Sequence, residues 1–422
     1  MVSDDVRDGR DVMEQSKHIT YNTAGNIVSL FCQWMIMMII PKITDFAEAG
    51  IFAVALSICS ILNIFATFSL NQYQISDQYV NFNENQYRLS RLVTIVLSFV
   101  MCITMLLLFD YSNEQKLVIV LYMVYRNILH YAYLYTATLQ IRERLDYVGK
   151  CTMVEGVISL VAFVSAYVVT NDLALSVLIM ALLGGGVFLI SVIYGYRKTD
   201  GKYGAPERTD TAAVKSMLKL GIPLLISGVA PIIITALPKL MLQTIEGDEI
   251  VGIFSTLSAP TIVVPTLITG IFTPFIIYFS NVARSGNMSL LAKQYLKMTV
   301  MILGFGILCF VASYLLGGPV FEMLYGDNIA PYTKYFKVLI FGIILYSIGM
   351  CGITVMMTKE HGRQAGIASV IALIIGATIF AWAIPEYGME GAVYGLMAAY
   401  GVFGLLISLC VLLIPLSKVV RD

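Results

Sequence analysis

Roughly a dozen apolar stretches, each about 20 residues long, run from Tyr21 to Ile414 with only short polar breaks between them. A helix rises 1.5 Å per residue, so about 20 residues cross the ~30 Å hydrocarbon core of a bilayer. A helix is also the one open-ended element whose backbone polar groups are all met internally, which the bilayer demands. Composition agrees: 58% of the residues are hydrophobic and 13% charged, where soluble domains carry about 25% charged residues. The spacing predicts an all-α integral membrane protein with about 12 transmembrane helices, at roughly 19–40, 49–69, 91–109, 117–140, 151–170, 174–195, 214–236, 250–279, 295–316, 334–357, 365–384 and 392–414.

Formal net charge is zero, and no basic run is dense enough to hold nucleic acid. The placement of charge says more. With the N-terminus inside, the inner segments hold roughly 21 Lys and Arg residues, and the outer ones hold Lys42, Lys116, Lys239, Lys334 and Lys337. That bias orients the chain with both termini cytoplasmic and an even number of spans. The acidic, polar segment Met1–Lys17 leads straight into a full-length span, so no cleavable signal peptide is expected. Seven cysteines sit singly in or beside apolar spans without CxxC or nearby histidines, and read as packing thiols with no metal or disulfide.

The two halves begin alike. One runs from Asn26 through Pro41-Lys42 to Gly50-Ile51-Phe52, the other from Leu220 through Pro238-Lys239 to Gly252-Ile253-Phe254. Six spans per half bring the second half in from the same side as the first. The repeat is therefore parallel, giving two six-helix bundles related by a pseudo-two-fold axis along the membrane normal. The expected layout is a cytoplasmic tail at 1–18, an N-terminal bundle at 19–195, a Gly- and Pro-bearing linker at 196–213, a C-terminal bundle at 214–414 and a short tail at 415–422.

Polar residues inside the spans mark candidate sites. Asn22, Asn26, Ser29 and Gln33 share one face of the first span, either bonding helices together or lining a hydrated cavity. Tyr122, Arg126, His130 and Tyr133 share a face of the fourth, with Arg126 near the bilayer midplane. A guanidinium there costs about 2.5–3.5 kcal/mol on insertion scales, so it requires an inward partner or water. Glu155, placed near the cytoplasmic end of the fifth span, can pair with Arg126, couple to protons or stay at the interface. Pro223 and Pro231 in the seventh span, with Pro260, Pro265 and Pro274 in the eighth, make those helices candidates for bending during gating.

The chain has no GxxxxGK[ST], HExxH or nucleophile elbow, and no cofactor is implied. Gly184-Gly185-Gly186 lies in an apolar span and reads as close helix packing.

Three segments resemble bacterial polysaccharide flippases of the multidrug/oligosaccharidyl-lipid/polysaccharide exporter superfamily: RLDYVGK (Arg144–Lys150), ALPKLMLQTIEGDEIVGIFS (Ala236–Ser255) and FEMLYGDNIAPY (Phe321–Tyr332). QYQISD (Gln72–Asp77) adds weaker support. The resemblance implies two bundles around a central cavity in the bacterial cytoplasmic membrane. It also implies a non-enzymatic flip of undecaprenyl-diphosphate-linked glycan to the outer leaflet by alternating access, amid membrane lipids and in company with glycosyltransferases and a polysaccharide polymerase. Where many members carry Pro-Arg, this chain has Pro238-Lys239, and where many carry Arg-Gly, it has Glu155-Gly156.

Arg126, Lys42, Lys239 and a tyrosine-rich lining offer contacts to a diphosphate and its sugars. Two other functions stay open at this point. A multidrug extrusion antiporter of the same superfamily would carry acids deep in the N-terminal bundle. A polysaccharide polymerase or glycosyltransferase would carry a sizeable outer loop with catalytic acids, where this chain offers Glu322 and Asp327.

Overall fold

The computed structural model describes residues 2–68, 70–77, 79–199, 211–268, 288–358 and 361–413. Among these residues the chain is helices and short turns, with no strand. The helices are α1 (Val2–Ile43), α2 (Phe46–Thr67), the short α3 (Leu70–Asp77), α4 (Glu84–Leu108), α5 (Asn113–Ile141) and α6 (Leu145–Thr170). Next come α7 (Leu173–Lys198), α8 (Thr211–Glu246), α9 (Asp248–Ile268), α10 (Met288–Tyr325) and α11 (Phe336–Thr358).

The last continuous stretch, Gly362–Leu413, is 52 residues long, more than twice what a bilayer needs. It contains one non-helical residue, Gly388, with φ 54°. A Cβ built on Gly391 would meet the Ala383 carbonyl at 2.1 Å, one on Gly395 the Phe380 ring at 3.1 Å, and one on Gly376 the Ala399 Cβ at 3.0 Å. Paired numbers that converge on Gly388 define an antiparallel hairpin, so this stretch is two spans, α12 (362–387) and α13 (389–413). Among the described residues 11 stretches are long and apolar enough to cross a membrane. Splitting the last one gives the expected 12.

Local chemistry sets the helix starts. Asn83 with Gln86 and Ser112 with Gln115 form reciprocal capping boxes that open α4 and α5, and Asp172 accepts the Leu175 amide at 2.9 Å to open α7. The N-terminal tail is drawn into α1, which starts at Val2. Residues 200–210, most of the expected linker, and Pro274 lie outside the described residues.

Two compact units emerge. Unit 1 comprises Met1–Ile39 and Ile58–Ile222, and unit 2 comprises Ile40–Ser57 and Pro223–Asp422. The end of α1 and the first half of α2 are thus built into the second unit.

In unit 1, α1 and α6 cross through glycine. A Cβ on Gly25 would lie 2.1 Å from the Gly149 carbonyl oxygen, and one on Gly156 would lie 2.6 Å from Ser29 Cα. Gly184, in a π-helical turn (Ala181–Gly185) of α7, sits against Ser159 of α6. Of the glycine triplet, Gly184 and Gly185 serve close packing, whereas a Cβ on Gly186 would meet nothing within 4 Å.

Unit 2 contains the prolines expected to bend. Pro223 and Pro231 remain inside the single helix α8. Pro260 opens a 3₁₀ turn, Ala259–Ile262, that interrupts α9, and Pro265 follows in its helical remainder. Such a turn inside a span is a common hinge.

Candidate functional site

The RLDYVGK segment ties three helices of unit 1 together at its expected cytoplasmic end. Arg144 pairs with Asp146 at 3.0 Å, His18 Nδ1 donates to the Glu143 carbonyl at 2.8 Å, and Tyr147 OH donates to the Ser191 carbonyl at 2.9 Å. The Lys150 ammonium lies 4.8 Å from the centre of the Tyr21 ring. This cluster aligns α1, α6 and α7, and so fixes what faces what deeper in the unit.

About 15 Å along α6, at ten residues and 1.5 Å each, Glu155 is only 3% exposed. It is not at the interface. Ser29 of α1 donates to its carboxylate at 3.0 Å, Ser159 donates at 3.1 Å, and Tyr125 of α5 donates as well. Three hydroxyls thus satisfy a carboxylate that has no Lys, Arg or His within ion-pair distance among the described residues. Tyr125 is a residue of this candidate site that sequence reasoning missed. It lies off the Tyr122–Arg126–His130–Tyr133 face, and its spacing alone gave no signal of its partner.

Arg126 follows Tyr125 on α5, midway along that helix. It is half-buried, its Nε is sealed from solvent with no hydrogen-bond partner, and no carboxylate pairs with it among the described residues. The Arg126–Glu155 pair that the sequence allowed does not form here. Arg126 is also the one basic residue that the polar flanks of the spans do not account for.

The neighbours of Arg126 are tyrosines. Tyr122 packs on Tyr125 with ring centres 5.7 Å apart, and Tyr133 stands edge-on to Phe188 at 6.1 Å. Phenol rings offer a negative face to a guanidinium without neutralising it. His130 is sealed at 1% exposure, with Nε2 2.7 Å from Asn63 Oδ1 and its ring 5.7 Å from Tyr133. It joins α5 to α2 in the packed interior.

The polar stripe of the first span divides. Ser29 is buried on Glu155, Asn22 and Gln33 are half-buried, and Asn26 is exposed. Lys42 and Lys239 both belong to unit 2 but differ in setting. Lys42 is exposed in the last turn of α1, whereas Lys239 is half-buried and α8 continues past it to Glu246. The expectation that each lysine ends its span holds for Lys42 alone.

Two further polar sites of unit 1 escaped the sequence. Arg91, counted there as an inner-flank charge, is fully buried and donates to the Ala66 and Thr67 carbonyls at 3.2 and 3.1 Å, capping the end of α2. Within QYQISD, Gln74 bonds the Leu134 carbonyl at 3.2 Å, and Asp77 accepts from Asn81, Phe82 and Tyr87. That motif works as a structural knot between α3, α4 and α5.

Residues 16–282 match the polysaccharide biosynthesis protein family. The chain belongs to that family. A capsular polysaccharide biosynthesis protein, CapF of Staphylococcus aureus, is 22% identical over 385 residues, covering 89% of this chain and 94% of the relative. Among solved structures, an inward-facing multidrug resistance MATE transporter of the MOP superfamily matches with a TM-score of 0.70 at 14% identity, covering 94% of this chain and 97% of its own. The lipid II flippase MurJ, in an inward closed conformation, matches with a TM-score of 0.70 at 14% identity, covering 94% of this chain and 87% of its own. The fold is therefore the one shared by these MOP-superfamily structures, with its pseudo-repeat, and this member of the polysaccharide biosynthesis family is a multi-pass helical membrane protein.

Proposed function

We propose that this protein carries an undecaprenyl-diphosphate-linked oligosaccharide from the inner to the outer leaflet of a bacterial cytoplasmic membrane by alternating access, with both termini cytoplasmic. The observation that carries this reading is Arg126: a guanidinium at mid-helix in an apolar bundle, with a sealed Nε and, among the described residues, no carboxylate paired with it. An unpaired buried charge is costly, so retaining one implies that its counter-ion arrives from outside the chain. The planar fork of donors matches phosphate oxygens. Tyr122, Tyr133, Asn22, Asn26 and Gln33 supply hydrogen bonds to sugars on the same unit, and Lys42 and Lys239 supply secondary positive charge. Moving an anion out of a negative interior gains about 2.3 kcal/mol per charge per 100 mV. The reading implies glycosyltransferases that build the cargo and a polymerase that consumes it.

The test is Arg126→Ala, scored by membrane abundance and by lipid-linked oligosaccharide in the inner leaflet. Normal abundance with cargo accumulating inside is the expected outcome, with Arg126→Lys restoring part of the export. A well-folded variant that exports normally removes Arg126 from the site.

Extrusion of organic cations is the second reading, and the buried Glu155 is what favours it. The arrangement weighs against it: the Glu155 oxygens are already met by Ser29, Tyr125 and Ser159, whereas the Arg126 Nε has no hydrogen-bond partner among the described residues. The bare group, not the saturated one, is the better ligand.

A further inference from the structure

Between α4, α5 and α7 of unit 1 runs an apolar groove of about 440 Å³, walled by Leu92 and Val96 of α4, Val124, Ile128 and Tyr131 of α5 and Leu189 of α7. Leu92 and Val96 are 46% and 60% exposed, so the groove is open, and a wall of Leu, Val and Ile suits hydrocarbon rather than water. Val124, Ile128 and Tyr131 share one face of α5. At 3.6 residues per turn that face lies nearly opposite the one carrying Tyr122, Arg126 and Tyr133, so the groove is separate from the candidate site. At one end the seam turns aromatic and then charged. Tyr131 stands edge-on to Tyr135 with ring centres 5.9 Å apart, and Tyr135 stands edge-on to Tyr196 of α7 at 5.2 Å. The Arg88 guanidinium lies 5.7 Å from the centre of the Tyr135 ring, and that of Arg142 lies 5.4 Å from the Tyr196 ring. Leu92 stands four residues, about 6 Å, along α4 from Arg88, so an aromatic ladder leads from the groove to two guanidiniums. Glu84 accepts from both Arg88 and Tyr196, the latter at 2.7 Å, yet the Arg88 Nε stays sealed without a hydrogen-bond partner among the described residues. Arg197 and Lys198, both exposed, follow Tyr196 in the last turn of α7.

We propose that this seam holds one anionic phospholipid of the bilayer, with its phosphate on Arg88 and Arg142 and one acyl chain in the groove. The proposed orientation makes the inner leaflet its source, and nothing in the proposal rests on the cargo. The guanidinium fork matches phosphate oxygens, and basic pockets between spans on the cytoplasmic side suit anionic headgroups. A zwitterionic lipid brings its own cation to a mouth already rich in positive charge, which selects for a headgroup of net negative charge. Tyrosine, with an apolar body and a polar tip, suits the level where chain gives way to headgroup. The occupant is a bilayer lipid and not the cargo, because α5 itself separates a chain in the groove from a diphosphate on Arg126.

The experiment titrates the purified full chain with dioleoyl phosphatidylglycerol or, with the same acyl chains, dioleoyl phosphatidylcholine, and counts bound lipid by native mass spectrometry. One phosphatidylglycerol should be retained severalfold more strongly than phosphatidylcholine. Arg88→Gln, which removes the charge and keeps a donor for Glu84, should cut that preference severalfold. Val96→Trp, which fills the groove from the other end of the site, should cut phosphatidylglycerol retention severalfold. Equal retention of the two lipids by the parent protein overturns the proposal, and so does unchanged retention in either folded variant. Displacement of the phosphatidylglycerol by equimolar undecaprenyl phosphate overturns it too, and makes the seam a site for a polyprenyl carrier. The parent comparison decides even where a variant fails to fold. Retention is read without export, so a wrong cargo leaves the result intact, and an inverted topology changes the leaflet of origin but not the lipid retained.

Discussion

Unit 1 buries Asp77, Glu84, Arg91, His130 and Glu155, whereas the buried polar residues described in unit 2 are serines and threonines such as Thr256, Ser347 and Ser369. The difference extends to where the hydrogen bonds go. Arg91 joins α4 to α2, His130 joins α5 to α2, and Glu155 joins α6 to α1 and α5. The unit 2 hydroxyls turn back on their own helices: Thr256 to the Gly252 carbonyl at 2.7 Å, Ser347 to Ile343 at 2.7 Å and Ser369 to Ala365 at 2.8 Å. One unit is cross-linked by polar bonds between helices and holds Arg126, which has no carboxylate partner among the described residues. The other is tied between helices by neutral hydroxyls and a carboxylate, as in Tyr295 to Ser408, Tyr400 to Thr235 and the Met389 amide to Glu246, and it carries the proline-opened break in α9. Under the proposed function, the first unit holds the charged group and the second, with its proline-opened turn, is the one expected to bend.

The comparison breaks most readily at Arg91. Arg91→Ala strips donors from two carbonyls at the end of α2, and hydrogen bonds from a charged donor are worth about 1.5–3 kcal/mol each. Thermal unfolding in detergent should show that loss, while Ser369→Ala in unit 2 stays within about 0.5 kcal/mol of the parent. Equal effects would mean that the inter-helix bonds of unit 1 carry no special weight.

A double-mutant cycle sharpens the reading of the charged centre. Arg126 and Glu155 form no ion pair here, and the carboxylate is satisfied by hydroxyls that a glutamine also satisfies in part. Glu155→Gln is expected to cost about 1 kcal/mol in stability, and its coupling to Arg126→Ala should fall within about 0.5 kcal/mol, as for independent sites. Rescue of Arg126→Ala by Glu155→Gln, with coupling of about 2 kcal/mol or more, would make Arg126 a structural partner and remove the case for an external anion.

The span count and helical class were legible in the sequence, because a bilayer allows little besides a helix of the right length to present about 20 apolar residues. The Gly-Ile-Phe repeat was legible too, although nothing in the sequence said that Gly50 and Gly252 would touch. Arg126 was placed at mid-helix from the sequence because depth follows directly from residue numbering. Glu155 was misplaced for the converse reason: its depth was read as shallow, and its partners come from α1 and α5, which spacing within α6 cannot reveal. Arg91 was counted as a flank charge since its acceptors are carbonyls of another helix. Lys239 departed from Lys42 because the second repeat holds extra residues between Pro-Lys and Gly-Ile-Phe, and α8 absorbs them by running on to Glu246.

The smallest expected effect tests whether unit 2 is as loosely bonded as it looks. Tyr400 of α13 donates to Thr235 of α8 at 3.2 Å, a side-chain bond between helices of that unit, and the Tyr400 ring packs on Tyr346 with centres 4.8 Å apart. Tyr400→Phe deletes the hydroxyl and keeps the ring. Thr235 retains a partner of its own, donating to the Pro231 carbonyl at 3.0 Å, so no donor is stranded. The net worth of such a bond is about 0.5–1.5 kcal/mol, and with the threonine already satisfied the loss should fall at the lower end. Unfolding in detergent should therefore barely move, and export should continue. A loss approaching that of Arg91→Ala would show that one polar tie does in unit 2 what a network does in unit 1, and the contrast between a unit tied through buried charged groups and one tied through neutral hydroxyls would fail at the bond most able to refute it.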